Sequence, residues 1–191
     1  TLEHISRFTA DGWLNIKVLR IDTTNPNIKV DTLANPQTTD KLSTVLSLAA
    51  KNEAAAAVNA SFFNPLDPGK GYPDGPIIRA GDLLSASAWY NKNKEEMASL
   101  SLNDSGQIFF DYWRNDLTLT VPGQASFAVN QYNQPSRKQY NDITVLDGKW
   151  GVSTLGASDA YPDLVEILVS QEKVTAVRQG LPPADMPANG Y

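Results

Sequence analysis

From residue 97 onward the chain is written in short runs of alternating apolar and polar residues separated by turn residues. A side-chain period of two suits a pleated strand and no helix, so this stretch is confined to β structure. It predicts strands at 97–102, 107–113, 117–121, 127–130, 143–146, 164–170 and 173–179. Asn103-Asp104-Ser105-Gly106 is the turn between the first two, and Ser170-Gln171-Glu172-Lys173 serves the last pair. Links this short make the pairs antiparallel, because a parallel pair needs a long crossover.

The first half has fewer periodic elements. Leu14, Ile16 and Val18 alternate with Asn15 and Lys17, a strand running to Ile21. After the turn signal Asn25-Pro26-Asn27, Ile28 and Val30 begin a second strand over 28–32, and the two pair as a hairpin. Leu42, Val45, Leu46 and Ala49 fall on one face of a helix spanning about residues 41–52, capped by Thr39 or Asp40. The small apolar run 54–58 reads as a buried central strand that delivers Asn59 to its C-terminal end. Residues 64–82 are dense in Pro and Gly and read as a loop with defined turns. The last stretch, 181–191, reads as extended, with no terminating element. The expected fold is α+β, a predominantly antiparallel sheet with one main helix packed on it, in a single domain over 1–191.

Composition removes several function classes. The 191 residues contain no Cys, so disulfide frameworks, thiolate metal sites and Cys nucleophiles are excluded. One His rules out multi-histidine zinc sites. Sixteen Lys and Arg against 21 Asp and Glu give a net charge of −5, which argues against nucleic acid as a partner. No apolar run approaches the ~20 residues of a membrane span. The chain begins at Thr1 rather than Met, so an upstream segment is expected to have been removed. The glycosylation sequons at Asn59 and Asn103 are short enough to arise by chance and carry no argument.

Among the residues that carry chemistry, His4 has no Gly-x-Ser-x-Gly partner motif and reads as a partly exposed terminal histidine, not a triad member. No P-loop motif occurs. Asp67, Lys70, Asp74, Arg79 and Asp82, beside Asn59 and Asn64, would form a polar pocket over the end of the central strand. No cofactor is expected. A calcium ion at Asp67 and Asp74 is the one metal considered, since hard cations want clustered oxygens, but these carboxylates read first as turn and cap residues. Phe62, Phe63, Tyr72, Trp89 and Tyr90 offer faces for sugar rings, although the Phe pair also suits a core. Phe109 to Trp113 alternate across a strand and read as core on both faces.

The segment from Ala54 to Phe63, following Thr44-Val45-Leu46-Ser47-Leu48-Ala49, resembles the phosphodiester glycosidase family, whose hallmark here is Asn-Gly-Gly-Phe-Phe. Asn59, Phe62 and Phe63 match, whereas Ala60 and Ser61 replace the two glycines. Further features follow in order: the early strands, Gly75-Pro76-Ile77-Ile78 through Gly81, the 101–107 strand and turn, Asn130 followed by Arg137, and Trp150-Gly151. The strand pair over 165–177 and Pro187-Ala188-Asn189-Gly190-Tyr191 complete the set. The likeness covers nearly the whole chain but only about the first half of the family domain. The family's later Arg-x-(Ala/Ser)-x-Gly and Asn-Leu-Asp-Gly-Gly-Gly-Ser motifs are absent, as expected of an N-terminal fragment, a piece of a cleaved chain or a shortened relative.

The resemblance implies a hydrolase of sugar-1-phosphodiesters such as N-acetylglucosamine-1-phosphodiester in a cell-envelope or exopolysaccharide glycan, located outside the cell or in the envelope. The leaving phosphate monoester is already a stable anion, so the site needs a phosphate clamp and stabilisation of the sugar cation more than a strong general acid. Asn59 and Asp74 would act on the reacting sugar or water, and Phe63, Arg79, Asn130 and Arg137 would bind substrate, with Arg79 or Arg137 holding the phosphate. The missing half of the same domain is an implied partner. A non-catalytic glycan-binding module is the competing reading, and fold analogy does not choose between them.

Overall fold

The computed structural model describes residues 1–35, 38–66, 69–87, 97–135 and 142–191. The chain divides into two compact units, one of Thr1–Asp31 with Ser101–Phe109 and the other of Thr32–Leu100 with Phe110–Tyr191.

The first unit is built on strands β1 (Leu2–Thr9) and β2 (Gly12–Leu19), paired antiparallel from Leu2 opposite Leu19 to Thr9 opposite Gly12. Ala10 and Asp11 make the link. Gly12, at φ +115°, takes a backbone conformation that a side chain would resist. The Thr9 hydroxyl locks the turn, donating to the Gly12 carbonyl and accepting from the Asp11 amide. The early hairpin is therefore not the expected pairing of 14–21 with 28–32. The Asn25 turn does form, with the Ile28 amide donating to the Asn25 carbonyl at 3.0 Å. Residues 28–32 nonetheless join no ladder. A two-residue link closes β1 onto β2 at little entropic cost.

The second unit contains the one helix among the described residues, α1 (Val45–Lys51). It is shorter than the expected 41–52, and its cap is Thr44, whose side chain accepts from the Ser47 amide at 3.1 Å. Thr39 and Asp40 do not cap it, because their amides donate to the Lys149 and Trp150 carbonyls. The Leu42 amide is likewise taken by Gly69, so long-range bonds claim the residues that periodicity assigned to the helix. Val45, Leu48 and Ala49 are half-buried, whereas Leu46 is exposed.

The expected loop over 64–82 folds into short strands β3 (Phe63–Pro65), β4 (Gly71–Pro73), β5 (Ile77–Arg79) and the start of β6 (Asp82–Ser87). β3 pairs with β4, and β5 with β6. The β5–β6 link, Ala80-Gly81, has φ of +50° and +79°, the mirror-image turn that matches strand twist. The later strands are β7 (Met97–Leu102), β8 (Ile108–Trp113), β9 (Thr118–Thr120), β10 (Ser126–Ala128), β11 (Gln131–Tyr132), β12 (Thr144–Val145), β13 (Val165–Ser170) and β14 (Lys173–Gln179). β7–β8, β9–β10 and β13–β14 form two-stranded antiparallel pairs, and the largest sheet has the order β12-β11-β6-β5. Among the described strand pairs only β11–β12 is parallel. The sheet-dominated α+β class thus holds, and the strands read from residue 97 onward correspond to observed ones.

Two further expectations are corrected. Residues 54–58 form no strand and are mostly exposed, with Val58 81% exposed. An apolar run becomes a buried strand only where neighbours supply ladder bonds, and no described segment does so here. Phe110, at 81% exposed, Phe109 and Tyr112 are surface residues, as are Phe62 and Phe63, so neither aromatic group is core. The C-terminal stretch, read as extended, is also tied down. Val169 and Tyr191 exchange backbone bonds at 2.7 and 3.0 Å, and Ser153 bridges to Asp185.

Candidate functional site

The centre of the second unit is unusually polar. Leu84, Ala86, Val129, Trp150 and Tyr72 are its buried apolar residues, and Ser85, Ser87, Gln131, Asn133 and Gln134 are buried beside them. Register explains the segregation. Gln131 lies opposite both Ser87 and Thr144, whereas Tyr132 lies opposite Ala86 and Val145. Alternation therefore places a polar row on one face of the β12-β11-β6 sheet and a more apolar row on the other.

The polar face leads to Asp74. Gln134 Nε2 donates to Ser85 Oγ at 2.8 Å and to the Gly75 carbonyl at 3.4 Å. Asp74, the neighbour of Gly75, accepts from Asn64 Nδ2 at 2.7 Å, across the β3–β4 hairpin. Its own amide donates to the Phe62 carbonyl at 2.9 Å. Gly75 itself has no room for a side chain, since a Cβ there would meet the Met97 sulfur at 2.6 Å. Two glutamine side chains at this face are incompletely satisfied. Gln131 has no hydrogen-bond partner for either amide atom, and Gln134 has none for Oε1. Each buried orphan costs about 1–3 kcal/mol, a cost that an ordered water or a bound ligand would relieve.

A second network fixes the strand that carries these amides. Asn133, at φ +51°, donates to the Leu84 carbonyl and to Asp147 Oδ1, and its side-chain oxygen accepts from the Asp147 amide. Tyr132 donates to Asp147 Oδ2 at 2.6 Å. Burial, aided by this carboxylate, pushes the Tyr132 phenol well above its ordinary range. On the Tyr132 side lies an open groove of about 410 Å³, lined by Leu83, Leu117, Leu119, Val145 and the Lys149–Asp82 ion pair, whose atoms are 2.6 Å apart.

The predicted residues divide. Asp74 belongs to the polar cluster, and Phe63 sits on β3 beside Asn64, largely exposed. Asn59 is exposed in the irregular stretch before β3, and its side chain makes no hydrogen bond with another described residue. Arg79 donates to Asn52 Oδ1 at 2.8 Å and to the Ala34 carbonyl at 3.3 Å, tying β5 to the C-terminal end of α1. A cation there also complements the helix dipole. Asn130 is a backbone clamp, accepting from the Ile143 amide at 2.9 Å where β11 meets β12. Arg137, Asp67, Trp89 and Tyr90 lie outside the described residues. No group of three or more acidic or histidine side chains suited to a metal occurs among the described residues. Sequence reasoning missed Gln131 and Gln134. Their only signal was two glutamines at i and i+3 just past the strand read over 127–130, and spacing does not reveal burial.

Comparison with known proteins matches no family model, no curated protein and no solved structure.

Proposed function

We propose that the protein is a hydrolase of the phosphodiester glycosidase type, acting on a sugar-1-phosphodiester in a cell-envelope or exopolysaccharide glycan outside the cell. The observation that carries this reading is the pair of buried, incompletely satisfied amides at Gln131 and Gln134, the second bonded to the carbonyl of Gly75, next in sequence to Asp74. Sugar hydroxyls donate and accept at once, as amides do, so a sugar would satisfy both ends of Gln131 and the unmet oxygen of Gln134. In the proposed reaction Asp74 orients a water against the anomeric carbon. The bond from that carbon to the phosphate oxygen breaks, the phosphate leaves as a monoester, and the proton of the water passes through Asp74 to solvent. Arg79, which has no carboxylate partner among the described residues, supplies charge for the phosphate. Asn59, on an exposed segment, closes on the sugar from the β3 side.

The test is phosphorus NMR on the methyl phosphodiester of N-acetylglucosamine-1-phosphate. Turnover replaces the diester resonance with that of a monoester. Asp74→Asn is expected to lower kcat at least about 100-fold, the usual worth of a positioned acid–base group. Sugar binding without monoester release selects the non-catalytic glycan-binding module instead, and neither binding nor release overturns both.

A further inference from the structure

Asn-Gly occurs once in the chain, at Asn189-Gly190, in the stretch that closes against β13. Val169 and Tyr191 exchange both backbone bonds there, the Val169 amide donating at 2.7 Å and the Tyr191 amide at 3.0 Å. In an antiparallel ladder the residue beside such a doubly bonded pair turns its own N–H away from the partner strand. Gly190, facing Ser170, is that residue, and among the described residues no acceptor takes its N–H. Asn189 is exposed, and its side chain makes no hydrogen bond with a described residue. Its φ of +51° is left-handed, a conformation that asparagine tolerates better than most side chains do. An uncommitted side-chain amide therefore stands in water beside an uncommitted backbone N–H with no Cβ to shield it.

We infer that Asn189 is a site of spontaneous covalent modification that unfastens Tyr191 from β13. The Gly190 nitrogen attacks Asn189 Cγ, the bond from Cγ to the side-chain nitrogen breaks, and ammonia leaves with the proton of the Gly190 N–H. Water then opens the cyclic imide. Attack at Cγ gives aspartate. Attack at the backbone carbonyl gives isoaspartate, which routes the chain through the side-chain carbon and adds one atom between residues 189 and 190. The clamp has no slack for that atom, because Gly190 packs so tightly that a Cβ on it would meet the Val169 carbonyl oxygen and Pro187. Tyr191 therefore loses register with Val169. It also lines the groove on the Tyr132 side, so its release removes part of that wall. Other asparagines lack the combination. Asn103 Oδ1 is held by the Ser105 hydroxyl and the Gln107 amide. Asn59 is exposed, but Ala60 follows it and its Cβ crowds the attacking nitrogen. The site uses no residue of the Asp74 cluster and stands whether or not that cluster turns over substrate.

Peptide mapping by mass spectrometry, on folded protein aged in mildly alkaline buffer, tests the inference. The synthetic peptide Met186–Tyr191 is the unfolded reference. Isoaspartate and aspartate are expected at Asn189 before any other asparagine converts. In the isoaspartyl fraction, amide exchange at Val169 should rise at least about fivefold, the effect of losing one backbone hydrogen bond. Exchange in β6 should stay as it was. Asn189→Asp carries the new charge without the added backbone atom, so fresh Asn189→Asp should keep Val169 protected. Asn189→Gln would need a larger ring, and it should age without change at this position. An Asn189 still intact when the peptide has fully converted would overturn the inference. So would earlier conversion at Asn59 or Asn103, a Val169 amide as protected in isoaspartyl as in fresh protein, or equal loss of protection in fresh Asn189→Asp.

Discussion

Gln131 is the residue whose environment least resembles what stability alone would select. A buried amide with both ends unmet is worse for the fold than a hydrocarbon of the same shape. Gln131→Met should therefore raise stability by about 1 kcal/mol in urea denaturation while lowering phosphodiester turnover. A stability loss would mean that its amide is satisfied in solution and that the site argument fails. Asn133 is the opposite case, since three side-chain bonds hold Asp147 and Leu84 to its strand. Asn133→Leu should cost about 3 kcal/mol, because it orphans several buried groups at once.

Tyr132 sets a pH limit. Its folded pKa is raised by burial and by Asp147, so the native state holds the phenolic proton more tightly than the unfolded chain does. The associated stability is fully present below the ordinary tyrosine value of ~10 and is lost as pH rises above it. Urea midpoints measured from pH 8 to 11 should fall at the alkaline end, and Tyr132→Phe should flatten that fall.

Among the elements, β13–β14 and the C-terminal stretch form the best-tied assembly. Glu166 and Arg178 face each other in register at 2.8 Å, with side chains 12% and 16% exposed. Glu166 also accepts from the Gly156 amide, and Arg178 donates to the Pro182 carbonyl, so one ion pair secures two loops. Glu166→Ala should destabilise by about 2–3 kcal/mol, since the remaining guanidinium stays largely buried. Gly190 permits the last contact, because a Cβ there would lie 1.9 Å from the Val169 carbonyl oxygen. Gly190→Ala should raise amide exchange at Val169 while leaving β6 protected.

These elements also show what was readable and why. The hairpins after residue 97 declared themselves because alternation and turn chemistry act over a few residues. Gln171 and Glu172 turn at φ of +49° and +62° where the spacing had put the β13–β14 link. The helix was half legible: its register was visible, but its start moved to Thr44 when Gly69, Lys149 and Trp150 claimed the residues before it. The run 54–58 misled for a related reason. Hydrophobicity states what a segment would gain by burial, and only a partner segment can deliver it.

At the scale of the molecule, two units with different interiors should differ in local stability. The first rests on a two-stranded hairpin with one face in water, an arrangement that is marginal by itself. The second centres on Leu84–Ser87 and Gln131–Gln134. Hydrogen exchange is expected to be fastest over 54–62, intermediate in β1–β2 and slowest in β6 and β11. Equal protection of β1 and β6 would show instead that the units open together.

Taken alone, the amino-acid sequence determined the sheet-dominated class, the positions of the later strands and turns, and the lack of any cysteine for thiol chemistry. All of these depend on near neighbours or on counting. The tertiary structure decided where 39–42 would bond, that 54–58 would stay uncovered, and that Asn64, Asp74, Ser85 and Gln134 would meet. Those outcomes depend on residues tens of positions apart competing for the same backbone and side-chain partners, and no local pattern records which competitor wins.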